Sequence, residues 1–270
     1  MGSQQQSNRG RQLSPGSEAR DFDWSAMEVP SVRAAWPASA RRLDDRGREA
    51  ATLTRVVNGM LPNGSLGALR PIFEGDETLL QASELIGLER SVIGVRRASG
   101  AGREVARTLC QQLGVHVTDI PRLPNRVPVW PPGVVGSIAH DPTFAAAVVA
   151  HADQFNGVGI DIEPTEPLPA GVARLVGSRN ELRAVNLRWT DTTLFSIKEA
   201  VFKAVFPTDG IFLEFSDVMV DTSSHTAATR YGRTVYWRAH VSSRIVAVAW
   251  ICGEPIPNAL PRLSLEGASE

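Results

Sequence analysis

Three β-like runs crowd into residues 134–162: "VVGSIAH", "FAAAVVAH" and "VGIDI". They read as adjacent strands of a meander or hairpin. Before them, "PRLPNRVPVWPPG" carries five prolines and reads as an extended loop. After them, "PTEPLPAG" breaks the chain, and a helical stretch with modest periodicity follows over about residues 171–187. "TDTTLFSIKEAVFKAVF" is the clearest helix, capped by Thr190 or Asp191, with Leu194, Ile197, Val201 and Val205 as an apolar stripe. The C-terminal part is β-rich, in "FLEFSDVMVD", "TVYWRAHV" and "RIVAVAWICG".

Upstream, "DETLLQASELIGLERSV" and "GREVARTLCQQLGV" have apolar residues at helical spacing. Val105, Leu109 and Leu113 share a face beside Ala106 and Cys110, and Gly114 is placed to end that helix. The expected organisation is a flexible N-terminal arm over 1–45, with a short docked segment around Trp24 or Trp36. One α/β half follows over 46–150, a second over 151–255 and a C-terminal tail over 256–270. Helices packed with antiparallel strands in both halves predict an α+β fold rather than a doubly wound parallel sheet.

With 270 residues, 43% hydrophobic and 21% charged, the chain can bury a real core. A net charge of −1 gives no global pull toward nucleic acid or a membrane surface. No apolar stretch is long enough to span a bilayer, and the N-terminal residues contain no apolar core of a signal peptide, so a cytoplasmic location is expected. Cys110 and Cys252 lack metal-ligand spacing and are expected to be buried free thiols.

The candidate chemistry begins in "GIDIEP", residues 159–164. On a strand, Asp161 and Glu163 project from one face, because side chains alternate with period two. Close carboxylates repel unless a cation or a shared proton intervenes, and oxygen-only ligands suit Mg²⁺. A solvated strand end running into a Glu-Pro turn is the plain alternative. On the "FSIKEAVFKA" helix, Glu199 and Lys203 lie four apart on a face roughly opposite the apolar stripe. They are either a surface ion pair, or a third carboxylate with a phosphate clamp. His140 ends the "VGSIAHD" run before an Asp-Pro turn, as a structural histidine or a contact to a phosphate or base. Arg96, Arg97 and Arg103 form a basic cluster whose guanidinium forks suit phosphate oxygens, or else a solvated basic face.

In their order, these pieces resemble the 4′-phosphopantetheinyl transferases of the surfactin type, and more closely the enterobactin-synthase-like branch. The paired signature stands here as "VGIDIEP" and "FSIKEAVFK", with flanking blocks "GREVARTLCQQLG", "RVPVWPPGVVGSIAHD", "LFSIKEAVFKAVFP" and "FLEFSDV". The run "RRASGAGR" is one residue shorter than the family's spacing and lacks its aromatic residue. The resemblance covers about residues 78–252 and implies a pseudo-twofold fold of two subdomains, each a small antiparallel sheet with packed helices.

It also implies transfer of the phosphopantetheine arm of coenzyme A onto a serine of an apo acyl, peptidyl or aryl carrier protein, with release of 3′,5′-ADP. Siderophore, polyketide or non-ribosomal peptide synthesis is the implied setting. Carried over by position, Asp161, Glu163 and Glu199 would hold Mg²⁺, with Mn²⁺ as a substitute. Glu199 would act as base and Lys203 would contact the phosphates. Arg96 or Arg97, Arg103 and His140 would grip the 3′-phosphate, while Arg126 and Ser137 line the nucleotide site. A monomer is expected, since two fused halves already build the cleft. Two other readings remain open at this stage: another Mg²⁺-dependent phosphate-ester enzyme, and a non-catalytic CoA-binding relative.

Overall fold

A computed structural model of the chain describes residues 43–177 and 190–252. The expected arm up to residue 42, Trp24 and Trp36, residues 178–187 of the expected helical stretch and the tail lie outside those residues. The elements run α1 (Leu43–Met60), β1 (Ser65–Pro71), a 3-10 turn (Asp76–Leu79), α2 (Ala82–Leu85), α3 (Ile93–Gln112), β2 (Val134–His140), β3 (Phe144–His151), β4 (Gly157–Pro164) and α4 (Ala170–Val176). Then come α5 (Asp191–Asp209), a 3-10 turn (Phe215–Asp217), β5 (Val218–Asp221), β6 (Thr226–Thr229), β7 (Thr234–Val241) and β8 (Arg244–Ile251). The fold is α+β, with two wholly antiparallel sheets ordered β1-β3-β2 and β4-β8-β7-β6-β5.

The central strand β3 explains the alanine-rich run "FAAAVVAH". Ala146, Val148 and Ala150 face Leu53 and Val57 of α1, while Ala147 and Val149 face Val105, Ala106 and Leu109 of α3. Small side chains on both faces let a helix approach each one closely. The core shared with α1 extends across to the second sheet, where Ile160, Ile162, Val248 and Trp250 join it. The alternate residues of β8, Ala247, Ala249 and Ile251, turn the other way and pack on α5 with Trp237.

Two expectations change here. The β2–β3 hairpin forms, but β4 leaves that meander and pairs with β8 in the other sheet. The stretch "DETLLQASELIGLERSV" forms short turns rather than one helix. Asp76 accepts the Phe73 backbone N–H at 2.7 Å, and Glu84 accepts the Gln81 backbone N–H at 2.9 Å. Such local side-chain acceptors compete with continued helix. The following helix ends as expected, with Gly114 in the left-handed region at φ 80°.

The α5 stripe is also only part of that helix's burial. Sandwiched between the sheet and the Val176–Phe195–Phe215 cluster, α5 is buried almost all round. Its first turn is fixed by Thr190, whose Oγ1 accepts the Thr193 backbone N–H at 3.3 Å. Thr190→Ala is expected to lower stability by about 1 kcal/mol in urea unfolding, with the unfolding slope unchanged. The thiols divide: Cys110 is buried, whereas Cys252 is exposed just past the end of β8. The expectation of two buried thiols is corrected for Cys252, which lies beyond the last paired residue of the strand.

Candidate active site

Period two decides which way β4 presents its residues. Val158, Ile160 and Ile162 enter the shared core, so Gly157, Gly159, Asp161 and Glu163 face α5. A β-carbon on Gly159 would overlap the Ala200 carbonyl, and one on Gly157 would overlap the Ala204 carbonyl. The two glycines therefore let the α5 backbone lie directly on the strand. Two strand residues rise about as far as four helix residues, so the contacts step together along both elements. That close approach brings Lys203 to Asp161: its Nζ donates to Asp161 Oδ1 at 2.6 Å.

The charges around this bond are unbalanced. Asp161 is 4% exposed and its Oδ2 is buried without a hydrogen-bond partner. Burial, reinforced by Asp161, pushes the Glu163 carboxyl up to about 9; Asp141 and Glu199 add to the effect and Lys203 opposes it. Burial pushes Glu199 up to about 7, with Lys203 opposing and Asp161 adding. Burial disfavours the Lys203 ammonium, yet Asp161 and Glu199 hold it above the usual lysine range. Three carboxylates thus share one ammonium, and the surplus negative charge is met by protonation or by a cation.

Among the described residues, no three histidine, cysteine or acidic side chains converge closely enough to hold a metal ion as they stand. The donor set nevertheless fits a small hard cation. All three candidate groups supply oxygen, and one buried oxygen of Asp161 is unpaired.

Lys203 opens on a cleft of about 240 Å³ between the proline-rich loop at Trp130–Gly133 and the start of β4. Glu199 opens instead on an apolar groove of about 480 Å³ walled by Leu175, Phe202, Phe212 and Phe215. On the face of α5 away from the stripe, Lys203 lines the cleft and Glu199 lines the groove.

The other candidates stand on β2, on α3 and in the proline-rich loop. Ser137 is 3% exposed and its Oγ has no hydrogen-bond partner; it shares a face of β2 with Val135 and Ala139, which pack against the core between the sheets. His140 is exposed at the end of β2. Arg96 has a buried Nε without a hydrogen-bond partner. Arg97 bonds Glu77 at 2.9 Å and Glu74 at 3.3 Å. Arg103 is buried, donates to the Ile120 carbonyl at 2.9 Å, and is pushed down to about 10 by burial. Arg126 is exposed, at φ 67° in the tight turn where the Leu123 N–H meets the Val127 carbonyl.

Glu84 carries no site signal in the sequence, yet it is fully buried and accepts Arg107 Nη1 at 2.8 Å and the Ile120 N–H at 2.7 Å. Asp141, which the sequence marks only as a turn residue, and Arg244 are likewise paired in the structure. The Asp-Pro-Thr turn was a signal for the first of that pair; nothing in the sequence marked the second.

Comparison with known proteins bears on this geometry. Residues 81–150 match the family profile "4′-phosphopantetheinyl transferase N-terminal domain", and residues 157–250 match the "4′-phosphopantetheinyl transferase superfamily". The chain is 32% identical over 186 residues to the 4′-phosphopantetheinyl transferase PptT of Mycobacterium tuberculosis, covering 66% of this chain and 78% of that protein. It is 35% identical over 169 residues to Npt of Nocardia iowensis, covering 61% of this chain and 76% of that protein. It is 41% identical over 122 residues to Svp of Streptomyces mobaraensis, covering 41% of this chain and 49% of that protein; the match thus spans about half of Svp. Both signature segments, the carboxylates on β4 and the Lys-Glu-Ala run on α5, fall within the second profile match, and the chain belongs to the 4′-phosphopantetheinyl transferase family of enzymes.

Proposed function

We propose that the protein transfers the 4′-phosphopantetheine arm of coenzyme A to a serine of an apo carrier protein and releases 3′,5′-ADP. The observation that carries this reading is the Lys203–Asp161 bond at 2.6 Å, made where Glu163 and Glu199 are near enough to be felt. Residues 46–150 and 151–255 would act as two halves, with CoA held in the cleft between them. Asp161, Glu163 and Glu199 would hold Mg²⁺ or Mn²⁺. When bound, the ion neutralises pyrophosphate charge and stabilises the leaving ADP.

The chain's own residues then have separate tasks. The Lys203 ammonium, now on Asp161, turns toward the phosphate oxygens exposed in the cleft. Glu199 accepts the proton of the carrier serine as its oxygen forms the new bond to the β-phosphorus, and the bond to the ADP oxygen breaks. The apolar groove beside Glu199 gives the carrier a surface from which its serine reaches that carboxylate. His140, Ser137, Arg126 and the arginines of α3 would receive the nucleotide and its 3′-phosphate. Carriers of siderophore, polyketide or non-ribosomal peptide synthesis are the proposed partners, and the cytoplasm is the proposed setting. No helix among the described residues is long and apolar enough to cross a membrane.

The test is to incubate the protein with CoA, Mg²⁺ and several apo carrier domains and weigh each carrier intact. A gain equal to one phosphopantetheine arm, lost when a chelator is added, is the expected result. Release of ADP with every carrier unmodified would identify a hydrolase instead. CoA binding without any reaction would identify a non-catalytic relative.

A further inference from the structure

The two sheets meet along β2 and β4, over a core in which Ala139, Ala146 and Val148 of the first lie with Ile160, Ile162 and Val248 of the second, an apolar contact that carries little directional preference of its own. One directional contact crosses the same seam. Arg244 opens β8, and its Nε donates to Asp141 Oδ2 at 2.5 Å. The Asp141 side chain is 1% exposed, and its other oxygen accepts the Thr143 and Phe144 backbone N–H groups at 2.6 Å each. The guanidinium also lies over the Phe144 ring, 5.2 Å from its centre, and 3.7 Å from Glu49 Oε1 on α1.

The sequence neighbours of this pair make it informative. Asp141 directly follows His140 at the tip of the β2–β3 hairpin. Arg244 and Ile245 stand opposite Pro164 and Glu163 in the β4–β8 register. One ion pair therefore ties the histidine tip of the first sheet to the carboxylate end of the second.

We propose that Arg244 is a positioning residue: by clamping Asp141 it fixes His140 relative to Asp161 and Glu163, and so sets the span across which one CoA molecule is gripped at its 3′-phosphate and its pyrophosphate. This rests on the proposed function for the identity of the ligand. A charge-assisted fork suits the task, because it specifies orientation as well as contact. Two groups that must hold one ligand at both ends lose affinity when their spacing is free to vary, because ordering them then falls on the ligand.

The experiment compares binding of CoA and of dephospho-CoA, which lacks only the 3′-phosphate, by calorimetry. It uses the full-length wild type, Asp141→Asn, Arg244→Gln and Arg244→Lys, each checked for folding by circular dichroism and melting. Asparagine at 141 keeps the acceptor for the turn while removing the charge that Arg244 meets. The wild type is expected to prefer CoA. Asp141→Asn and Arg244→Gln should weaken CoA binding about tenfold while dephospho-CoA changes less than about threefold, so the preference collapses. Arg244→Lys should recover part of the preference.

The clamp is overturned if the folded variants keep the wild-type preference, if they lose both ligands equally, or if the wild type shows no preference. Should Arg244→Gln fail to fold, Asp141→Asn decides. A wild type that binds CoA but modifies no carrier defeats the transferase reading alone, since the clamp is scored by binding.

Discussion

Glu199→Gln is expected to cut phosphopantetheine transfer about a thousandfold or more, while CoA affinity measured without divalent ions stays within about threefold of the wild type. The side chain is nearly isosteric, so α5 keeps its packing on Gly157 and Gly159 and the cleft beside Lys203 keeps its shape. What is lost is the negative charge and the site that takes the serine proton. Glu199 opens on the apolar groove rather than on the cleft, which separates a step involving the carrier from the binding of CoA. Steady-state kinetics with a carrier, set beside calorimetry with CoA alone, read the two effects apart. Transfer at a near wild-type rate would remove Glu199 from the chemistry, and equal loss of CoA binding would make it a ligand-binding group instead.

Gly159→Ala should lower stability by about 3 kcal/mol and abolish most transfer even in the fraction that folds. The added methyl meets the Ala200 carbonyl carbon and oxygen and the Ala204 nitrogen. All three are backbone atoms inside a helix and cannot rotate away, so α5 must lift off β4. Because Lys203 is carried on that helix, the 2.6 Å bond to Asp161 lengthens with it. Gly171→Ala is the matched control: a β-carbon there meets nothing within 4 Å, and alanine favours the helix by up to about 1 kcal/mol. Urea unfolding should show a large loss for the first and no loss for the second. Equal stability of both variants would mean that the close contact of strand and helix is not what assembles the site.

The same contact shows why part of the molecule could be read from its sequence. Alternation along "VGIDIEP" placed Ile162 in the core and both acids on the opposite face, since one face of a strand follows from the other. The α5 stripe and the end of α3 at Gly114 were legible because helical spacing and a left-handed glycine act locally. Pairing was not. β4 follows β3 closely in the chain yet pairs with β8, whose residues Arg244–Ile251 lie far away in sequence. No local preference records that choice, which brings Ile160 and Ile162 beside Val246 and Val248 in the core shared with α1. Helix α1, strand β1 and the short β6 were not singled out at all, their signals being weak until packed.

Long-range charge pairs escaped for a similar reason. Arg244 with Asp141, and Arg107 with Glu84, are ordinary surface-type residues in the sequence and become specific only when folding buries their partners. The candidate carboxylates were visible because two share a strand and the third sits in a recognisable helical run. The arginines expected at the 3′-phosphate illustrate the limit: Arg97 and Arg103 both stand on α3, but one is held by Glu77 and the other by a backbone carbonyl.

Asp161, Glu163 and Glu199 are proposed to form together a divalent-cation site completed by CoA. Titration with Mn²⁺, following the free ion by electron paramagnetic resonance with and without CoA, tests it most directly. One site per chain is expected, tightening when CoA is present and weakening about tenfold or more in Asp161→Asn. Equal Mn²⁺ affinity in the wild type and in a folded Asp161→Asn, or full transfer in the presence of excess chelator, would contradict it.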